Sequence, residues 1–159
     1  MASAGHTASE AVAAALERET EALSEFVALL TEEQKHLGAG DSEAVVALTS
    51  RKEAAAQRLA ALGEQREAAL VAGYGAAGRA GIERWLAEAG QAGDLWQRLL
   101  ALAAEARNLN QTNGKLIALH LQHNQKALDA LLRAGDRAMT YGPDGQQRLG
   151  GGRRILGSA

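Results

Sequence analysis

The chain has 159 residues, enough for one domain with a real core, and a net charge of -2 that gives no electrostatic case for nucleic acid or an anionic membrane surface. Aromatic residues make up only 3%, proline occurs once and cysteine not at all, which excludes disulfides and thiol chemistry and suits the cytoplasm. Alanine and leucine dominate, a balance that fits long helices packed closely through small residues better than a β-sandwich or an α/β fold. Residues 1–10 lack the basic start and apolar stretch of a secretory signal. The longest apolar runs, 11–16 and 99–104, fall far short of the roughly 20 residues that span a bilayer, so a soluble chain without membrane insertion is expected.

Leu16, Leu23, Leu30 and Leu37 recur every seven residues, with Phe26 between them. This spacing predicts a helix over 11–37 with a coiled-coil seam, capped near Thr7 or Ser9 and ended by Gly38 and Gly40. Glu17, Arg18, Glu19, Glu21, Glu25, Glu32 and Glu33 read as its solvated face. Asp41 and Ser42 form an N-cap for a second helix to about residue 72. Its seam keeps a strict three-four alternation through Val45, Leu48, Lys52, Ala55, Leu59, Leu62, Arg66 and Ala69. Lys52 and Arg66 can lay their stems on apolar surface while their charges reach water or a carboxylate across the seam. The sharper reading is that the two set helix register or touch a partner.

Gly73, Gly75, Gly78 and Gly81 then break the pattern, and Ile82, Trp85, Leu86 and Ala89 predict a short amphipathic helix closed by Gly90 and Gly93. Trp85 is expected to plug the end of the core. A third long helix is expected from about Asp94 to about residue 134, with Leu95, Leu99, Leu102, Ala106, Leu109, Asn113, Leu116, His120 and His123 on one seam. Asn108, Asn110, Asn113 and Gly114 work against that helix, since Asn competes for backbone hydrogen bonds and Gly costs about 1 kcal/mol relative to Ala. Asn113 occupies a core-type position where a lone Asn specifies register, and Gly114 permits close backbone approach or a bend. Beyond them a second stripe, Ile117, Leu121, Leu128, Leu131 and Leu132, widens the apolar face; such a face serves either a larger core or a binding surface. From Gly135 the composition shifts to turn chemistry and to glycine with Arg148, Arg153 and Arg154, and a flexible tail is expected.

The expected fold is all-α: an elongated antiparallel three-helix coiled-coil-like bundle, with a short helix between the second and third long helices and a flexible C-terminal tail. Its limits are a frayed N-terminus over 1–9, a helical bundle over 10–134 and a Gly/Arg-rich tail over 135–159. Little in it speaks for catalysis. Gly73, Gly75 and Gly78 match the spacing of the dinucleotide fingerprint, but a helix precedes them where a strand must deliver the turn. Glu33 and His36 form a single Glu-x-x-His pair where a di-iron bundle needs two. His120 and His123 share a face without an acidic residue within two turns on their N-terminal side, short of a metal's ligand count. No catalytic residue, metal or cofactor is expected. Asn110-Gln111-Thr112 is formally a glycosylation sequon, disregarded inside a helix without a secretion signal.

Four sets of residues together resemble the FlgN family of flagellar export chaperones over about residues 15–147: Leu23, Leu30 and Glu33; Leu48, Lys52, Leu59, Leu62 and Arg66; Asn110, Asn113, Gly114, Leu116 and Ile117; and the Tyr141-Gly-Pro-Asp-Gly-Gln146 turn. The asparagine stretch followed by the Tyr-Gly turn is the specific part. The resemblance implies a cytoplasmic export chaperone, not an enzyme. It would bind the C-terminal helical segments of flagellar hook-filament junction proteins, prevent their premature assembly and deliver them to the flagellar type III export gate. Substrate recognition would fall to the third helix and tail, with Leu116, Ile117, Leu121, Leu128, Leu131 and Leu132 as the substrate-binding residues. Tyr141 would dock on the gate, and Asn113 and Gly114 would be structural. The free chain would be a monomer or weak homo-oligomer. The competing expectation is a structural coiled-coil adaptor that self-oligomerises without an export role.

Overall fold

The computed structural model describes residues 2–140, with side chains described over 5–137. It is all-α, with helices α1 (Ala2–Ala39), α2 (Ser42–Tyr74), α3 (Gly78–Leu86) and α4 (Gly93–Thr140), and a 3₁₀ turn at Gly90–Ala92. The three long helices and the short one between the second and third match the expected architecture. The chain divides into two units, Met1–Ile117 and Ala118–Ala159.

In the first unit α1 and α2 form an antiparallel hairpin. Gly40 adopts a left-handed φ of 72°, which a residue without Cβ reaches at little steric cost. Asp41 then caps α2, its Oδ1 accepting from the Ala44 amide at 3.0 Å. The heptad leucines of α1 do what their spacing predicts: Leu16, Leu23, Leu30 and Leu37 are all buried. They are joined in the first unit's core by Val12, Leu48, Leu70, Ile82, Trp85, Leu99 and Ala106. All eight seam positions named for α2 are buried or half-buried.

The two basic seam positions are paired with acids of α1. Lys52 Nζ lies 2.7 Å from Glu33 Oε1, and Arg66 Nε lies 2.9 Å from Glu19 Oε2. Glu19 and Glu33 therefore leave the solvated face to which the charge pattern assigned them: Glu33 is buried and Glu19 half-buried. The remaining acids of that run, Glu17, Glu21, Glu25 and Glu32, are exposed as expected, and so is Arg18.

Helix α1 reaches back to Ala2, beyond the start expected near Thr7 or Ser9, because its first turns find packing partners. The Trp85 indole donates to the Ser9 carbonyl at 3.4 Å, and a Cβ on Gly73 would come within 3.0 Å of the Ala8 Cβ. Trp85 itself is fully buried, the plug anticipated from its size and place. Gly81 is buried where α3 crosses the end of α2, and a Cβ there would lie 2.2 Å from the Ala76 carbonyl oxygen. At the other end of the chain α4 continues through Gly135 to Thr140.

Gly81→Ala should destabilise the fold by about 2 kcal/mol or more, since the obstacle is backbone and cannot turn aside. A denaturant midpoint equal to the wild type's would contradict this packing.

Candidate functional site

Asn113 is the polar centre of the first unit. Its side chain is 1% exposed, and its Nδ2 donates to the Leu30 carbonyl and to Glu33 Oε2, both at 2.8 Å. Glu33 Oε1 meanwhile takes the Lys52 ammonium. One buried carboxylate thus ties α1, α2 and α4 together. The paired group is the Nδ2 donor, at the core-type position where a lone asparagine specifies register in coiled coils. Helix α4 runs through residues 108–117 without a break, and Asn108 and Asn110 point to solvent. The close approach anticipated at Gly114 is absent: the residue is exposed, and an added Cβ would meet nothing within 4 Å.

Glu19 and Arg66 form the second polar layer. The contact is an ion pair rather than an aligned hydrogen bond, and the Arg66 guanidinium also lies 5.6 Å from the centre of the Trp96 ring. Burial raises the Glu19 pKa above its ordinary value of 4.5, an effect that the facing Arg66 opposes without cancelling. Trp96 was not singled out by its sequence position; only its spacing of one residue from Leu95 hinted that it flanks the seam.

The candidate binding residues lie further along α4. Leu116 is half-buried and Ile117 is 36% exposed, both at the end of the first unit. In the second unit Leu121, Leu128, Leu131 and Leu132 are 64%, 50%, 71% and 59% exposed. At 100° per residue these four fall within an arc of about 100°, a single apolar stripe on α4. His120 and His123, placed on the seam by the sequence pattern, are exposed too, so the seam packs only as far as Leu116. Sequence reasoning passed over Leu119, 59% exposed and on the side of the helix away from the stripe. Tyr141 lies outside the described residues. Among the described residues no three His, Asp or Glu side chains gather in a metal-binding arrangement, and no helix is long and apolar enough to cross a membrane.

Such a stripe has no chemistry of its own; what it offers is apolar area in a helical pattern, the groundwork for laying an amphipathic helix alongside. Comparison with known proteins adds to this. A sequence model of the FlgN protein family matches residues 1–148. Two curated proteins, each called flagella synthesis protein FlgN, from Yersinia enterocolitica and from its serotype O:8 strain, are each 42% identical over 62 residues, 39% of this chain. The chain spans 40% of the length of these curated relatives in that match. No solved structure matches it.

Glu33→Ala should cost about 3 kcal/mol of stability, because it strands the Lys52 ammonium and the Asn113 amide together. The check is urea unfolding followed by circular dichroism; a loss under 1 kcal/mol would show that the clasp adds little.

Proposed function

The chain belongs to the FlgN family, and from that premise we propose that it acts in building the flagellum, as a cytoplasmic export chaperone for the hook-filament junction proteins. It binds their C-terminal helical segments, keeps them from assembling early and hands them to the type III export gate. The observation that carries this reading is the row of exposed leucines at Leu121, Leu128, Leu131 and Leu132. Contiguous exposed apolar surface marks interaction sites in soluble proteins, and a helical stripe fits a helical partner. Leu116 and Ile117 adjoin the stripe in sequence and complete the substrate-binding set. Masking a junction protein's apolar helix in this way blocks the surface through which it would polymerise, and release then requires displacement at the gate. Tyr141 is assigned the docking contact with the gate, on the strength of the family's Tyr-Gly turn.

Titration calorimetry with C-terminal fragments of junction proteins from the same bacterium tests the binding. A 1:1 complex is expected, and Leu128→Asp or Leu131→Asp should abolish it while leaving most of the helicity by circular dichroism. Global loss of helix would place those residues in a core instead. A chain that assembles with itself and ignores the fragments would favour the self-oligomerising adaptor.

Tyr141→Ala should keep the fragment affinity and lower the amount of junction protein exported to the culture medium. Unchanged export would remove the docking role.

A further inference from the structure

Glycine in the interior of a helix calls for a reason, because only proline forms helices less readily. At Gly73 and Gly81 the reason is visible: a Cβ would press on Ala8 in the first case and collide with the Ala76 carbonyl oxygen in the second. Gly114 has no such neighbour. It lies in the middle of α4, is exposed, and an added Cβ would meet nothing within 4 Å. Its backbone is helical, and among the described residues the glycines at positive φ are Gly40, Gly75, Gly78 and Gly90. Neither a close approach nor a left-handed conformation therefore requires glycine there. What glycine does supply at such a position is a locally weaker helix.

Gly114 is not alone. Asn108, Asn110 and Thr112 are exposed in the turns before it, at positions where packing does not choose the residue and intrinsic propensity counts. Asn and Thr are poor choices for a helix surface, since Asn competes for backbone hydrogen bonds and Thr loses side-chain freedom. The rest of α4 reads differently. From Gln97 to Arg107 every exposed position holds Ala, Leu, Gln, Glu or Arg, and between Ala118 and Ala134 good helix formers again predominate. The weak stretch coincides with two boundaries. The first unit ends at Ile117. Asn113, clasped by the Leu30 carbonyl and the Glu33 carboxylate, is the last fully buried residue of α4 among the described residues. Up to Asn113 packing holds the helix; beyond it the helix relies increasingly on its own bonds, and it is at this transition that propensity is withdrawn.

We propose that the turn from Asn110 to Gly114 is a hinge in α4, a helical stretch of low local stability at which the helix bends or opens while the first unit stays intact. Gly114 is the pivot, since it has the least hindered backbone of the stretch. The clasped Asn113 one residue earlier is the fixed point against which it turns. Opening the turn breaks the helical bonds that the amides of Gly114 to Ala118 make to the carbonyls of Asn110 to Gly114. Hinges of this kind absorb a large backbone change in a few residues and leave the elements on either side undisturbed. The residues assigned to binding at Leu121, Leu128, Leu131 and Leu132 all lie beyond the pivot, so they can change direction together without cost to the first unit's core. The hinge is a property of the free chain and goes beyond the chaperone reading without depending on it.

The chain has no cysteine, so spin labels on introduced cysteine pairs report distances in the full-length protein by double electron–electron resonance. Gln97→Cys with Gln122→Cys spans the hinge from two exposed positions, roughly 38 Å apart along an unbroken α-helix at about 1.5 Å per residue. Gln57→Cys with Gln97→Cys, also exposed, stays within the first unit. The spanning pair should show a second population at shorter distance, while the pair within the first unit gives one narrow distance. Gly114→Ala should shrink the shorter population about fivefold and slow hydrogen exchange of the amides from Gly114 to Ala118 by the same factor, the fold-change that about 1 kcal/mol of helix propensity gives. Adding Asn110→Ala should shrink the population further. A single narrow distance near 38 Å in the wild type overturns the hinge, and so does a shorter population that Gly114→Ala leaves unchanged. Exchange that quickens steadily from Leu109 to Ala134, with no peak at Gly114 to Ala118, assigns the motion to fraying of α4 from its C-terminal end and likewise overturns it. A broad distance within the first unit does the same by placing the motion there. None of these measurements uses a junction-protein fragment, so the hinge and the chaperone reading fail separately.

Discussion

The register of α1 against α2 is the constraint from which the rest of the first unit follows. Stepping α1 forward two heptads, from Glu19 to Glu33, steps α2 back by the same number of residues, from Arg66 to Lys52. One heptad from Glu25 to Glu32 on the exposed flank likewise answers Arg58 to Arg51. All four ion pairs obey one antiparallel alignment, the one that the turn at Gly40 allows. The exposed pairs contribute little to stability. The half-buried ones matter through their alternatives: a slip of the hairpin would leave Glu33 or Arg66 against apolar side chains without a counter-charge, and that costs several kcal/mol.

Helix α4 depends on this alignment. In the first unit it brings only Leu99, Ala106 and Asn113 to full burial, with Leu95, Leu102 and Leu109 half-buried beside them. An apolar seam of leucines so largely half-covered can slide by a turn at modest cost. The Asn113 amide removes that freedom, because the Leu30 carbonyl and the Glu33 carboxylate meet it together in one alignment. Its own Oδ1 is buried without a hydrogen-bond partner among the described residues, so the residue is poorly explained as a source of net stability. Specifying one alignment at some cost in stability is the attested role of a seam asparagine.

Much of this was legible in the sequence, and for physical reasons. Burial of Leu16, Leu23, Leu30 and Leu37 follows from a period that only a helix can place on one side, and the bulk of Trp85 beside a glycine cluster forecast a plug. Lys52 and Arg66 could be read as paired because a seam position leaves a basic head few other places to go. Their partners were legible but missed: Glu19 and Glu33 sit in a run of acids that looks uniformly solvated, yet each lies seven residues from Phe26, on the seam of the leucine heptad itself. Gly114 failed in the opposite direction. A glycine next to a buried asparagine invites a close approach, but its neighbour's burial turns the glycine's own side of the helix outward. Whether the leucines from Leu121 onward were core or surface was likewise beyond the pattern, since periodicity describes a face and is silent on what lies opposite it.

That last ambiguity has a physical resolution in the second unit's helix. An isolated helix of some twenty residues is marginal in water even with good helix formers, and most helical stability in proteins comes from packing an apolar face. Burying a leucine fully is worth roughly 1.5 to 3 kcal/mol, so the stripe through Leu121, Leu128, Leu131 and Leu132 holds several kcal/mol that exposure leaves unused. A partner laid along it would realise that energy and stabilise the helix in the same step, so binding and helix stability are linked. Apolar area alone would make such a surface adhesive to any amphipathic helix.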